Sequence, residues 1–216
     1  MIGTNLFWIA YDTRPPFWDM AAHQSGALRI YGAFQTTSFL EAIQSVGLGL
    51  TGFYPPLYQS IVAGFYAVFG RTVDAALWAN VPAILLLLVA TYGIGKTVLQ
   101  PMAAATAAVL VNCYPLLLWL SREAMMDYWL TSMVALAMWL LVAKGFETSR
   151  WSLVFGVVAG FGMLTKWTFV FFLALPFLLF ARRHVRNGAI SAVIAMIVAS
   201  FWYVPQLAAI SNLLSV

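Results

Sequence analysis

From about residue 54 onward the chain is a succession of apolar runs, at 54–70, 74–95, 101–120, 126–143, 151–165, 167–181 and 188–209, with polar residues gathered between them. None of these runs shows the period-two alternation of a membrane strand, and backbone in lipid must satisfy its own hydrogen bonds, so they predict transmembrane helices. Upstream the pattern changes. Two amphipathic stretches, at 17–34 and 38–46, carry His23, Gln24, Arg29, Gln35, Glu41 and Gln44 at spacings that let a helix lie in the membrane interface. A charged, proline-rich loop precedes them, and residues 1–10 read as a short apolar stub.

One run has to be broken. As a single helix, Trp151 to Phe180 would be about 45 Å long, with Lys166 near its middle. A lysine at the bilayer centre costs at least about 2.5 kcal/mol. A hairpin turning at Thr165-Lys166 returns the charge to the interface and is the expected form.

Composition narrows the class. The chain has 216 residues, 63% hydrophobic and 8% charged, where an ordinary soluble domain carries about 25% charged residues. Its mean hydropathy is +0.89. This length accommodates roughly six or seven spans. The nine Trp and nine Tyr fit interfacial belts, and Tyr54, Tyr58, Trp202 and Tyr203 are read as anchors of that kind. Cys113 is the only cysteine, which excludes an internal disulfide and a cysteine-based metal site. No signal-peptide pattern with a cleavage site opens the sequence. The basic residues are dispersed, with Arg182-Arg183-His184-Val185-Arg186 the longest cluster, so a nucleic-acid partner is not expected.

Charge also sets an expected topology. Lys96, Lys144, Arg150, Arg182, Arg183 and Arg186 share the inner side with Glu147, a net +5. Arg14, Arg29, Arg71, Arg122 and Lys166 face outward with Asp12, Asp19, Glu41, Asp74, Glu123 and Asp127, a net −1 that completes the overall +4. The positive-inside rule favours this arrangement. It requires an even number of crossings between Asp19 and Asp127, so the short run 54–70 is expected to be re-entrant or interfacial. The expected fold is an all-α polytopic membrane protein with one transmembrane domain over 1–216. An outer loop with interfacial helices spans 11–50, and membrane helices span 54–209.

Ionisable groups are scarce here, which makes Tyr11-Asp12-Thr13-Arg14-Pro15-Pro16-Phe17-Trp18-Asp19-Met20-Ala21-Ala22-His23 the first place to look for chemistry. Asp19 is the candidate carboxylate of that cluster. Phe17 and Trp18 stand beside it to lower the local dielectric and raise its pKa. His23 falls on the same helical face, four residues on. The structural alternative is that Asp19 caps a helix starting near Met20. Arg14, Arg122 and Lys166 are the cations placed to bind an anionic ligand, Arg through paired N–H groups and Lys as a point charge; their alternative is interfacial snorkelling. Asp127 either pairs with Arg122, lines an acceptor site or caps the helix from Tyr128.

In order along the chain, five stretches carry a family resemblance: Trp18-Asp19-Met20-Ala21-Ala22-His23 in an acidic first loop; Tyr54-Pro55-Pro56-Leu57-Tyr58 leading to Phe69-Gly70; Pro115 through Ser121-Arg122-Glu123-Ala124-Met125-Met126-Asp127; Leu164-Thr165-Lys166; and Trp202-Tyr203-Val204-Pro205. Together they resemble the polytopic GT-C glycosyltransferases, the group that includes protein O-mannosyltransferases and lipid A aminoarabinose transferases. The resemblance implies a GT-C-like transmembrane helix bundle whose outer first loop carries amphipathic juxtamembrane helices. It implies transfer of a sugar from a polyprenyl-phosphate donor to an acceptor hydroxyl on the outer face of the plasma (inner) membrane, in the cell envelope.

Asp19 would be catalytic, with Asp12, Arg14, His23, Arg122, Asp127 and Lys166 binding substrate. Members carry two adjacent acidic residues in the first loop, whereas Met20 follows Asp19 here. The second acid is then Asp12 or is missing, and a divalent metal stays open. Members also have further helices on either side, so the chain reads as an N-terminal fragment. The bilayer and the lipid donor are the expected partners, with the oligomeric state unassigned. A transporter or flippase is the alternative. Charges at the ends of segments and the lack of pseudo-symmetric halves weigh against it. A scaffold subunit without chemistry would leave the acidic loop unexplained.

Overall fold

Prolines, glycines and buried asparagines decide where the helices of this chain stop. The structure, a computed structural model, describes the backbone of residues 2–214 and the side chains of residues 2–207. It runs through α1 (Ile2–Tyr11), α2 (Asp19–Thr36), α3 (Phe39–Gly47), α4 (Leu57–Phe69), α5 (Val73–Trp78), α6 (Val81–Gly95), α7 (Pro101–Asn112), α8 (Pro115–Leu120), α9 (Met126–Lys144), α10 (Ser149–Thr165), α11 (Phe169–Ala181) and α12 (Val185–Leu214). No strand occurs among the described residues.

Two runs expected to be continuous are interrupted. The 74–95 run divides at Ala79-Asn80, just ahead of Pro82 in the first turn of α6. Asn80 is fully buried, and its Nδ2 donates to the carbonyls of Ser121 at 3.3 Å and Glu123 at 2.8 Å. The 101–120 run divides at Cys113-Tyr114 because Pro115, which disfavours helical backbone in the residue before it, starts α8. The supposed stub at 1–10 is helical as α1, with Asn5 and Ile9 buried. Ser38 and Glu41 form a capping box that starts α3.

Side-chain contacts fix the helix directions. Trp129 Nε1 donates to the Ala79 carbonyl at 3.0 Å and Ser132 Oγ to that of Ala83 at 3.0 Å, while Gly93 faces Trp139, so α6 and α9 run parallel. α10 returns, bringing Lys166 to the N-terminus of α9. At the far end Asn187 Nδ2 donates to the Phe146 carbonyl at 2.7 Å, and α12 then rises until Tyr203 reaches the Met163 carbonyl at 3.0 Å. Two ends result. Lys96, Lys144, Arg150, Arg182, Arg183 and Arg186 gather at one with Glu147, a basic end. Asp12, Arg14, Asp19, Arg122, Glu123, Asp127 and Lys166 gather at the other.

Three apolar stretches have the length and composition to cross a membrane: Val73–Gly95, Met126–Lys144 and Val185–Leu207. α4, α7, α10 and α11 are shorter apolar helices. At about 1.5 Å per residue, the 13 residues of α4 reach about 20 Å, short of the roughly 30 Å hydrocarbon core. Both its ends lie at the carboxylate-bearing end of the bundle. Leu57 shares a cavity with Leu164, one residue before the α10 terminus, and Phe69 packs edge-on against Trp78 at 5.2 Å. The α2–α3–α4 layer thus caps one end of the bundle. Its core joins Ala27, Ile30, Tyr58, Val62 and Tyr66 to Ile84, Leu87 and Tyr128.

Tyr58 and Trp202, expected as interfacial anchors, are instead interior. Their exposures are 0% and 3%, because the capping layer covers the positions where a single span would meet the interface.

Candidate active site

Two stripes of α2 divide the polar residues at this end into neighbouring clusters. Asp19 and His23, four residues apart, face the α4 side, whereas Met20 and Gln24 line a pocket with Asp12, Arg14, Arg122 and Glu123.

In the first cluster, the Tyr54 hydroxyl donates to Asp19 Oδ1 at 3.3 Å. The His23 ring packs edge-on against Tyr54 at 4.7 Å and against Tyr58 at 5.6 Å. Gln59 Nε2 lies 3.5 Å from His23 Nδ1. Gln59 occupies the space beside Gly26, where any Cβ would strike its amide. Lys166 Nζ bonds Asp127 Oδ1 at 2.7 Å, across the start of α9 and the end of α10. Burial, with Lys166 acting in the same direction, outweighs the opposing charges of Asp19 and Asp127 and holds the His23 imidazole down at about 4. His23 is therefore neutral near pH 7.

Asp19 does not cap α2. Trp18 holds the cap position at φ 49°, ψ −125° without a side-chain cap bond, leaving Asp19 as the first helical residue. An acid there is favoured by the helix dipole. The expected apolar cover is missing as well: Phe17 and Trp18 are 56% and 88% exposed, and Asp19 itself is exposed. An exposed carboxylate, held by the Tyr54 hydroxyl, thus stands beside the aromatic group of His23, Tyr54 and Tyr58.

The second cluster is an ion-pair network. Arg14 grips Asp12 with Nε at 2.8 Å and Nη2 at 2.7 Å, and approaches Glu123 at 3.5 Å. That grip holds the Asp12 carboxyl at about 2. Glu123 is 5% exposed, and burial raises its carboxyl although Arg14 opposes the shift. Arg122 donates from Nε to Asn5 Oδ1 at 3.0 Å, and its guanidinium lies 4.9 Å from the Trp8 ring centre. Asn5 in turn donates to Ser121 Oγ at 2.6 Å.

Asp19, His23, Asp127 and Lys166 therefore come together, with Asp127 pairing to Lys166 rather than Arg122. Asp12, Arg14 and Arg122 form the neighbouring group. Tyr54, Gln59, Asn5 and Glu123 are additions that sequence reasoning did not assign to the site. Among the described residues no three His, Cys, Asp or Glu side chains converge as metal ligands. The arrangement offers an accessible carboxylate, an ammonium with donors left over beyond its single partner, and apolar walls behind them. It suits proton removal beside a departing anion.

A family model described as dolichyl-phosphate-mannose-protein mannosyltransferase matches residues 54–206, more than two thirds of the chain. No curated protein and no solved structure matches it.

Proposed function

The chain belongs to the dolichyl-phosphate-mannose-protein mannosyltransferase family, GT-C glycosyltransferases of the membrane, and from that premise we propose a polyprenyl-phosphate sugar as donor and Asp19 as general base. The acceptor is a hydroxyl on the outer face. Its oxygen attacks the anomeric carbon as Asp19 takes its proton, the bond from that carbon to the phosphate oxygen breaks, and polyprenyl phosphate leaves. A single displacement of this kind inverts the anomeric configuration.

The observation that carries the proposal is the convergence of Asp19, Tyr54 and the Lys166–Asp127 pair around neutral His23. Lys166 is the cation of this cluster and is assigned to the leaving phosphate, with Asp127 orienting it. His23 and Tyr54 orient Asp19. Arg14, steadied by Asp12 and Glu123, and Arg122, steadied by Asn5 and Trp8, form the cationic rim on the other side of α2. The exposure of Asp19 is consistent with a base that meets its proton donor only when acceptor is bound.

Asp19→Asn keeps the shape and removes the basic oxygen pair. It is expected to lower kcat by about a hundredfold or more, with expression and membrane folding intact. The assay is sugar transfer from a polyprenyl-phosphate donor by the membrane-embedded enzyme. Turnover at the wild-type rate would refute Asp19 as the base.

A further inference from the structure

We propose that the basic end of the bundle binds the phosphate headgroup of an anionic phospholipid across the α9–α10 and α11–α12 turns. The inference stands apart from the reaction assigned above. Lys144, Arg150, Arg182, Arg183 and Arg186 lie on these turns or at the helix ends beside them, and all five are exposed. None of the five is held by an acid. The ion pairs among the described residues join Arg14 to Asp12 and Glu123 and Lys166 to Asp127, all at the opposite end.

Fixed contacts bring the two turns together. Asn187 Nδ2 donates to the Phe146 carbonyl at 2.7 Å, and Ser149 Oγ to Asn187 Oδ1 at 3.4 Å. Phe146 is fully buried, edge-on to Phe155 at 5.3 Å and to Phe177 at 5.4 Å, which anchors the first turn in the core. Arg150 and Arg186 each adjoin a residue of the Ser149–Asn187 bond. Trp151 steadies two of the cations: Lys144 Nζ lies 5.1 Å and the Arg150 guanidinium 5.9 Å from its ring centre. A ring face attracts the charge without supplying an acceptor oxygen, so N–H groups remain for phosphate.

The surface below the cations selects a lipid over a soluble anion. Deeper along the same helices, Val142, Leu153, Leu178 and Leu179 are between 40% and 62% exposed. An anionic head above acyl chains matches this order of cations over hydrocarbon, and juxtamembrane Lys and Arg are drawn to anionic leaflets.

The test is competition between phosphatidylglycerol and phosphatidylcholine for the detergent-solubilised full chain, read as each lipid retained per protein. Two variants remove the patch in halves: Arg182→Gln/Arg183→Gln/Arg186→Gln and Lys144→Gln/Arg150→Gln. Arg71→Gln, at the other end, is the control. The wild type is expected to prefer phosphatidylglycerol by about tenfold or more. Each half-variant should lose most of that preference and Arg71→Gln none. Equal retention of the two lipids by the wild type overturns the proposal, as does a preference that survives in either half-variant. Inorganic phosphate at the same concentration should not displace phosphatidylglycerol; displacement would make the patch a site for free anions and overturn the lipid assignment. The five side chains are exposed, so the variants should melt as the wild type does in lipid-free detergent. Where one does not, the two wild-type comparisons decide.

Discussion

A buried imidazole between two tyrosine rings has a direct consequence for stability. His23 is 2% exposed, and burial lowers it from an ordinary 6.5 to about 4. Between those values the unfolded chain binds a proton that the folded chain does not, so stability rises with pH across that window. It is complete above 6.5 and falls as the medium is acidified. The cost by pH 5 is about 2 kcal/mol. The detergent-solubilised protein should melt at lower temperature at pH 5 than at pH 7, and His23→Phe should flatten that dependence; an equal slope in both would show that His23 is not its source. That Asp19 and His23 stand on one side of α2 was legible because helical spacing puts positions four apart on one face. Lys166 was legible because an isolated lysine in an apolar run demands an interface. Tyr54 was not, since in a chain this rich in aromatics a tyrosine at a segment edge is indistinguishable from a belt residue. Asn5 was hidden for another reason: its partners Ser121 and Arg122 lie 116 and 117 residues away.

At the level of helices, apolar runs announce themselves by composition, but their breaks and contacts depend on single residues. Pro82 and Pro115 divide two runs whose hydropathy is continuous. The close packing of α10 on α12 rests on Gly156 and Gly160, one turn apart. A Cβ on Gly156 would sit 2.7 Å from the Ser191 carbonyl oxygen, and one on Gly160 2.5 Å from Val198 Cβ. Such spacing is the small-residue signature of helix association in lipid, and hydropathy alone does not reveal it. Since α10 ends at Lys166, this contact also sets where the ammonium stands. Gly160→Leu is expected to destabilise the protein by about 1–3 kcal/mol through overpacking, lowering the melting temperature in detergent and reducing sugar transfer. Gly64→Ala, placed in open space, should not lower that temperature. If Gly160→Leu melts as the wild type does, α10 and α12 are not held at this distance.

For the molecule as a whole, the decisive property is which ends of the helices share a side of the bilayer. Six Lys and Arg at one end and the carboxylate clusters at the other set up the asymmetry by which membrane insertion orients a chain. We propose that α4 lies along the interface rather than crossing, since Asp19 and Asp127 both stand close enough to His23 to act on it; were α4 to cross, the two carboxylates would lie on opposite faces and no common site could form. Its ends supply a test. Cys113, exposed and the only cysteine, can be replaced by Ser to give a background free of thiols. Single cysteines are then placed at Phe53, 54% exposed before α4, at Arg71, exposed after it, and at Glu147, exposed at the basic end. A membrane-impermeant maleimide applied to intact cells is expected to label the cysteines at 53 and 71 alike, and to reach the one at 147 only after permeabilisation. Labelling of 53 and 71 from opposite sides would make α4 a crossing helix, and the shared site of Asp19, Asp127 and Lys166 would not survive it.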